Sequence, residues 1–99
     1  MARFGVKRNS KDNKPEQIFE ASKTTFNQLG FEIYKMRPFA FLVQGRTTGD
    51  EGLININIIA SPFAQEYSLT LKSETASQET VDALGEKILA LLEENINQT

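Results

Sequence analysis

The sequence contains no cysteine and no histidine. The lack of cysteine excludes thiol nucleophiles and disulfides, and the lack of histidine excludes imidazole bases. The usual ligands of zinc and haem are missing with them. Carboxylates, lysines and tyrosines remain for catalysis, but no spacing among them singles out a carboxylate pair or a Ser-Lys nucleophile. We therefore expect a protein that is not an enzyme, with no catalytic residue, cofactor or metal site.

Long apolar runs are also missing. No stretch approaches the roughly 18 consecutive apolar residues of a membrane span, and residues 1–13 hold no apolar segment of signal-peptide length. We therefore expect a cytoplasmic protein that does not enter a membrane. The 99 residues are 39% apolar and 24% charged, which is enough for the core of one domain and too apolar for a disordered chain.

Charge is distributed unevenly along the chain. Residues 1–14 hold five basic side chains and one acidic one, whereas residues 15–99 hold six basic and twelve acidic ones. We predict a basic N-terminal segment, residues 1–14, with a candidate edge strand at residues 3–8, followed by a single α+β domain at residues 15–97. Residues 9–14 have no apolar side chain to bury. We therefore predict that they form a mobile connection.

Two segments have the periodicity of amphipathic helices. The first begins at Pro15 and ends at Gly30, which predicts a left-handed cap. The last begins at Thr75 or Ser77 and contains Gly85 within its apolar stripe. Because glycine lowers helix propensity, we expect this position to approach a bulky strand residue, Phe41 or Tyr67. The stripe consists of Val81, Leu84, Ile88, Leu91, Leu92 and Ile96.

Between the helices, four runs alternate with a period of two. They cover residues 31–36, 39–45, 53–60 and 67–72, and a turn-like loop at 46–52 separates the second run from the third. Each run has one apolar face, so the helices must cover one side of the sheet they form. The prediction is an α+β fold with a four- to five-stranded antiparallel sheet, two helices on one face and the order β-α-β-β-β-β-α.

Several stretches of the sequence carry a resemblance to known domains. They read IFEASKTTFNQLGFEIYK, FLVQGRT, LININII, YSLTLKSET and VDALGEKILALLEE, and they span residues 16–94. This pattern resembles a group of small uncharacterised bacterial α+β domains. The element order is similar to one repeat of the TATA-binding protein and to helix-grip domains, in which a curved sheet wraps a long C-terminal helix. The resemblance implies a topology and no catalytic motif.

The uncovered side of the sheet is the candidate site. If the alternation holds through the first hairpin, this side mixes amides and hydroxyls with apolar side chains, a composition typical of protein interfaces. We predict an association module that acts as a homo-oligomer or on another protein partner. Ile59 is expected on the same side of the sheet. The predicted partner-binding residues are Tyr34, Met36, Leu42, Asn55, Asn57, Ser68 and Thr70.

Two alternatives stay open. A small apolar ligand could lie between the sheet and the C-terminal helix, in a cavity lined by Phe39, Phe41, Phe63 and Tyr67, although a domain of this size needs such residues to fill its core. Nucleic acid could bind the Asn- and Thr-rich face of the sheet. The acidic balance of residues 15–99, with no basic stripe along the sequence, disfavours nucleic acid.

Overall fold

Strands and helices follow the predicted order β-α-β-β-β-β-α. The computed structural model describes residues 1–10 and 13–98. A short 3-10 turn, Pro38–Ala40, follows the second strand. Within the part of the chain that the structure describes, neither α-helix has the length and hydrophobicity of a transmembrane segment. In chain order the elements are β1 (Ala2–Asn9), α1 (Pro15–Leu29), β2 (Glu32–Arg37), β3 (Leu42–Gly49), β4 (Gly52–Ser61), β5 (Glu66–Ser73) and α2 (Gln78–Asn97).

The five described strands form one antiparallel sheet in the spatial order β1-β5-β4-β3-β2. The N-terminal segment supplies a full edge strand, because β1 pairs with β5 from Ala2, opposite Ser73, to Asn9, opposite Glu66. Ser10 is buried, and its N–H donates a hydrogen bond to the carbonyl of Gln65 at 2.8 Å. The chain is therefore still attached to the sheet one residue after β1 ends. Lys11 and Asp12, in the predicted mobile connection, lie outside the described residues.

The hydrophobic core lies between one side of this sheet and both helices. Alternate residues of β4 and β5 point into it, among them Ile56 and Leu69, which are fully buried. Helix α1 contributes Ile18 and Phe26. At the junction of the helices, the buried Asn95 amide donates to Thr25 Oγ1 at 2.8 Å and to Gln28 Oε1 at 2.9 Å. Both helices thus cover the same face of the sheet, as predicted.

Capping residues determine where the helices end. Pro15 occupies the first turn of α1, and Gly30 ends the helix with φ of 73°. Ser77 is the N-cap of α2, and its hydroxyl accepts a hydrogen bond from the Thr80 N–H at 3.2 Å. Of the two predicted starts, Ser77 is the correct one.

Gly85 of α2 packs against a bulky strand residue, but the residue is neither Phe41 nor Tyr67. A Cβ atom built on Gly85 would lie 2.4 Å from the ring of Phe4 in β1. Phe4 lies in the predicted edge strand at residues 3–8, but the sequence pattern does not show that this strand lies beneath α2. The close approach also places the edge strand β1 directly under the helix.

The hairpins depart from the predicted strand limits. The strand expected at 39–45 begins only at Leu42, because Pro38 starts a 3-10 turn and Phe41 adopts a left-handed conformation with φ of 52°. The loop expected at 46–52 is mostly strand. Here β3 and β4 are joined by a two-residue turn, Asp50 and Glu51, between the paired Gly49 and Gly52.

Candidate functional site

The side of the sheet that faces away from the helices is the candidate site, and we call it the open face. Strand alternation builds it, because Ile54, Ile56 and Ile58 point into the core while Asn55 and Asn57 point out. The strand register then identifies its other members. The open face consists of Arg3, Gly5, Lys7, Asn9, Glu32, Tyr34, Lys35, Arg37, Leu42, Gln44, Arg46, Thr48, Leu53, Asn55, Asn57, Ile59, Ser61, Glu66, Ser68, Thr70 and Lys72.

Six of the seven predicted partner-binding residues lie on the open face. Asn57 lies at its centre, opposite Gln44 on one side and Thr70 on the other. Two residues further along β4, Ile59 lies on the same face, opposite Leu42 on one side and Ser68 on the other. Ile59 is 41% exposed and Leu42 is half-buried. An apolar pair and a row of polar groups are therefore neighbours on one surface. The six residues are Tyr34, Leu42, Asn55, Asn57, Ser68 and Thr70.

Met36 is the exception, and a β-bulge is the reason. The pairing of β2 with β3 shifts between Ile33 and Lys35, which inserts Tyr34 as an extra residue. Met36 then pairs with the buried Val43 and lies on the helix side of the sheet. The assumption that alternation holds through the first hairpin was wrong at this point. Met36 is nevertheless 49% exposed, because β2 is an edge strand.

The open face is positively charged although the chain as a whole is not. The rest of the chain holds five basic and eleven acidic side chains, a formal charge of −6, within a total of −2. The sequence did not show this separation because the basic residues are spread over four strands, one or two on each. The face holds two acidic side chains, Glu32 and Glu66, and six basic ones, Arg3, Lys7, Lys35, Arg37, Arg46 and Lys72.

Arg46 organises the β2 edge of the open face. Its guanidinium donates hydrogen bonds to both carboxylate oxygens of Glu32, at 3.3 and 2.8 Å, and lies 5.2 Å from the centre of the Tyr34 ring. The hydrogen bond and charge of Arg46 lower the pKa of Glu32. The other five basic side chains of the face form no ion pair with the described residues. Their charges are available to a partner.

Amides and hydroxyls form the centre of the open face. Gln44, Asn57 and Thr70 lie side by side in one row across three strands. The Oδ1 atom of Asn57 is buried and accepts no hydrogen bond from the described residues. Most buried polar atoms in proteins form hydrogen bonds. The unpaired Asn57 Oδ1 therefore lowers the stability of the fold, and a hydrogen-bond donor from a partner would offset this cost.

The space between the sheet and α2 is filled. Ile88 and Leu92 are fully buried, and Gly85 contacts Phe4. A hollow of about 400 Å³ opens where β1 and β5 meet the end of α2, lined by residues that include Arg8, Tyr67 and Ile96. Burial raises the pKa of the Tyr67 hydroxyl there. Of the four aromatics expected to line a ligand cavity, Tyr67 is at this hollow.

Phe39 and Phe63 occupy different positions from those expected. They are 101% and 95% exposed, at the ends of two neighbouring hairpins. We call residues 38–41, between β2 and β3, the first tip, and residues 62–65, between β4 and β5, the second tip. The sequence does carry a signal for these two turns, since the tripeptide Pro-Phe-Ala occurs at both places. A repeated Pro-Phe-Ala indicates two turns of the same kind.

Comparisons with known proteins bear on the fold. No protein-family model matches the sequence, and no curated protein matches it. Among solved structures, the protein is similar to the crystal structure of Ara h 8.0201, a Bet v 1-like helix-grip protein, with a TM-score of 0.58 and 9% sequence identity. The match covers 98% of each chain. It shows a helix-grip-like α+β fold, with which the similarity to a TATA-binding-protein repeat is only loosely consistent.

Proposed function

We propose that the protein is a non-enzymatic binding module that holds an acidic protein partner on its open face. The observation that carries the proposal is the excess of positive charge on this face, six basic against two acidic side chains, in a chain of net charge −2. Charge separation of this kind attracts a partner of opposite sign and turns the correct surface toward it.

The apolar pair on the open face favours protein over nucleic acid. Leu42 and Ile59 are directly opposite each other, and the same row across the sheet ends in Arg37 at one edge and Lys7 at the other. An apolar centre with a charged rim is typical of protein interfaces. Nucleic acid without base pairing needs aromatic rings for stacking, and Arg46 already lies over the Tyr34 ring.

Charge also bears on the homo-oligomer that the sequence predicts. In a two-fold dimer through the open face, each copy presents the same surface to the other. The six basic side chains of one copy would then face the six basic side chains of the other. Like charges across an interface oppose binding. An acidic partner of different sequence meets no such repulsion, so it is the preferred occupant in our proposal.

The test compares two double variants that change the net charge equally. Lys35→Glu with Lys72→Glu reverses charges on the open face, and Lys23→Glu with Lys87→Glu does so on the helices. The probe is a fluorescent Glu- and Leu-rich 20-residue peptide, measured by anisotropy at 50 and 200 mM NaCl. We expect the open-face variant to bind about ten-fold more weakly and the helix variant to bind within about two-fold of the original protein.

Two outcomes would contradict the proposal. Equal losses in both variants would mean that only net charge matters. A 20-residue oligothymidylate that binds more tightly than the peptide, and that depends on Lys35 and Lys72, would assign the open face to nucleic acid.

A small apolar ligand is the second candidate. The hollow beside Tyr67 and Ile96 and the helix-grip-like fold favour it. Laurate added to the labelled protein should then shift the amide resonances of these two residues in NMR spectra, and unchanged spectra would reject this candidate.

A further inference from the structure

The turns of two neighbouring hairpins have a similar sequence and a similar backbone conformation. The first tip reads Pro38-Phe39-Ala40-Phe41 and the second reads Pro62-Phe63-Ala64-Gln65. Each spans four residues between a pair of facing strand residues. The last residue of each tip is left-handed, with φ of 52° at Phe41 and 51° at Gln65. Sequence and backbone therefore repeat together.

Both tips are held in place although Phe39 and Phe63 are fully exposed. Proline fixes the backbone at the start of each tip, and neither contains glycine. In the first tip, the Phe41 carbonyl accepts from the Ala60 N–H of β4 at 3.1 Å. In the second, the Ser61 hydroxyl accepts from the N–H groups of Phe63 and Ala64 at 3.4 and 3.1 Å. Phe39 and Phe63 are thus presented to solvent on turns that are hydrogen-bonded to the sheet or within themselves.

The two tips lie at one end of the sheet, together with basic side chains. A hollow of about 300 Å³ is lined by Ala40 of the first tip, Pro62 of the second and Lys7 of β1. A second hollow brings Lys14 next to Pro62. Arg37 immediately precedes the first tip. Lys7, Lys14 and Arg37 form no ion pair with the described residues, and the acidic group at the first hollow is Glu66.

We propose that this end of the molecule docks on an anionic lipid bilayer, with Phe39 and Phe63 inserted at the boundary of headgroups and acyl chains and with Lys7, Lys14 and Arg37 on the lipid phosphates. Aromatic side chains suit that boundary, and basic residues nearby add electrostatic attraction to anionic lipid. Lys7 and Arg37 also belong to the rim of the open face, but the two phenylalanines and Lys14 do not, so this proposal does not rest on the open-face function.

The shape of the tips favours a bilayer over a protein. The side chains project from two separate convex turns at full exposure, so a protein partner would need two matching pockets at the correct spacing. A bilayer accepts both side chains at any lateral spacing. Two shallow insertions also match the rule that stable membrane attachment combines an apolar anchor with basic residues.

The experiment uses the absence of tryptophan from the chain. Phe39→Trp and Phe63→Trp each place a single fluorescent reporter on a tip, and Leu53→Trp places one on the open face, in the strand end far from the tips. The vesicles contain 30% phosphatidylglycerol in phosphatidylcholine. We expect a blue shift and quenching by brominated acyl chains for both tip reporters and neither effect for Leu53→Trp.

Sedimentation with the same vesicles measures affinity. The double variant Phe39→Ser with Phe63→Ser should bind about ten-fold more weakly or worse, and Arg37→Gln should cost roughly five-fold. Both phenylalanines are outside the core, so circular dichroism should show unchanged melting. Equal binding by the double variant, or no binding of the original protein to these vesicles, would overturn the proposal. So would tip-dependent binding to the acidic peptide in place of the vesicles.

Discussion

At the scale of single residues, Gly85 is a position where an added side chain would overlap its neighbour. Its missing Cβ leaves room for the Phe4 ring. We expect Gly85→Leu to lower the free energy of unfolding by about 1–3 kcal/mol, because the added side chain must displace that ring. Urea denaturation measures the change, with Ala83→Leu on the exposed side of α2 as the control. Equal stability of Gly85→Leu and the original protein would contradict the contact.

Glu51 is a second residue with a defined role. Its carboxylate accepts from the Ser77 N–H at 2.8 Å and from the Thr80 hydroxyl, at the start of α2. The hydrogen bond from Thr80, then that from Ser77, lowers the pKa of Glu51 in the folded protein. The stabilisation it provides is therefore complete above the pKa of the unfolded state and is lost as the pH falls through the folded pKa.

The test is the pH dependence of one substitution. Glu51→Gln should destabilise the protein at pH 7, and the difference from the original protein should shrink as the pH falls from 5 to 3. Thermal unfolding at each pH measures it, with Asp50→Asn in the same turn as the control. A difference that stays constant down to pH 3 would rule out the carboxylate as the cause.

At the scale of elements, β1 completes the sheet and contributes side chains to the core. Removal of residues 1–8 deletes Phe4 and Val6, which pack against the core, and leaves β5 without a neighbour on one side. We therefore expect this truncation to unfold the protein, as circular dichroism would show. Arg3→Gln with Lys7→Gln keeps the strand and should melt near the original temperature. A folded truncated protein would show that residues 1–8 are dispensable for folding.

The elements also show which structural features a single sequence can predict. Alternation over Ile54, Ile56 and Ile58 predicted a strand and its buried face, because a period of two has one geometric solution. The bulge at Tyr34 was not predictable, since an inserted residue leaves no mark in the alternation of a six-residue edge strand. The exposure of Phe39 was missed for another reason. Hydrophobicity alone assigns a phenylalanine to the core, and only the turn geometry after Pro38 excludes it.

At the scale of the whole molecule, self-association stays a prediction, and the charge distribution sets its salt dependence. A two-fold dimer through the open face should strengthen between 50 and 500 mM NaCl, because salt screens the repulsion between two basic surfaces. Sedimentation equilibrium measures this. Leu42→Gln, at the apolar centre, should weaken the dimer, and Lys23→Gln on α1 should not. A dimer that dissociates as salt rises would contradict contact through this face.

The separation of charge across the sheet has a dynamic consequence. With an excess of positive charge on one side and negative charge on the helices, the molecule is an electric dipole whose axis runs through the sheet. In the field of an anionic surface, a dipole experiences a torque before any contact forms, and it rotates until its positive side leads. Random collisions are thus converted into approaches with a preferred orientation. The effect extends over roughly one Debye length, about 10 Å at 0.1 M salt, which is half the 21 Å thickness of the molecule.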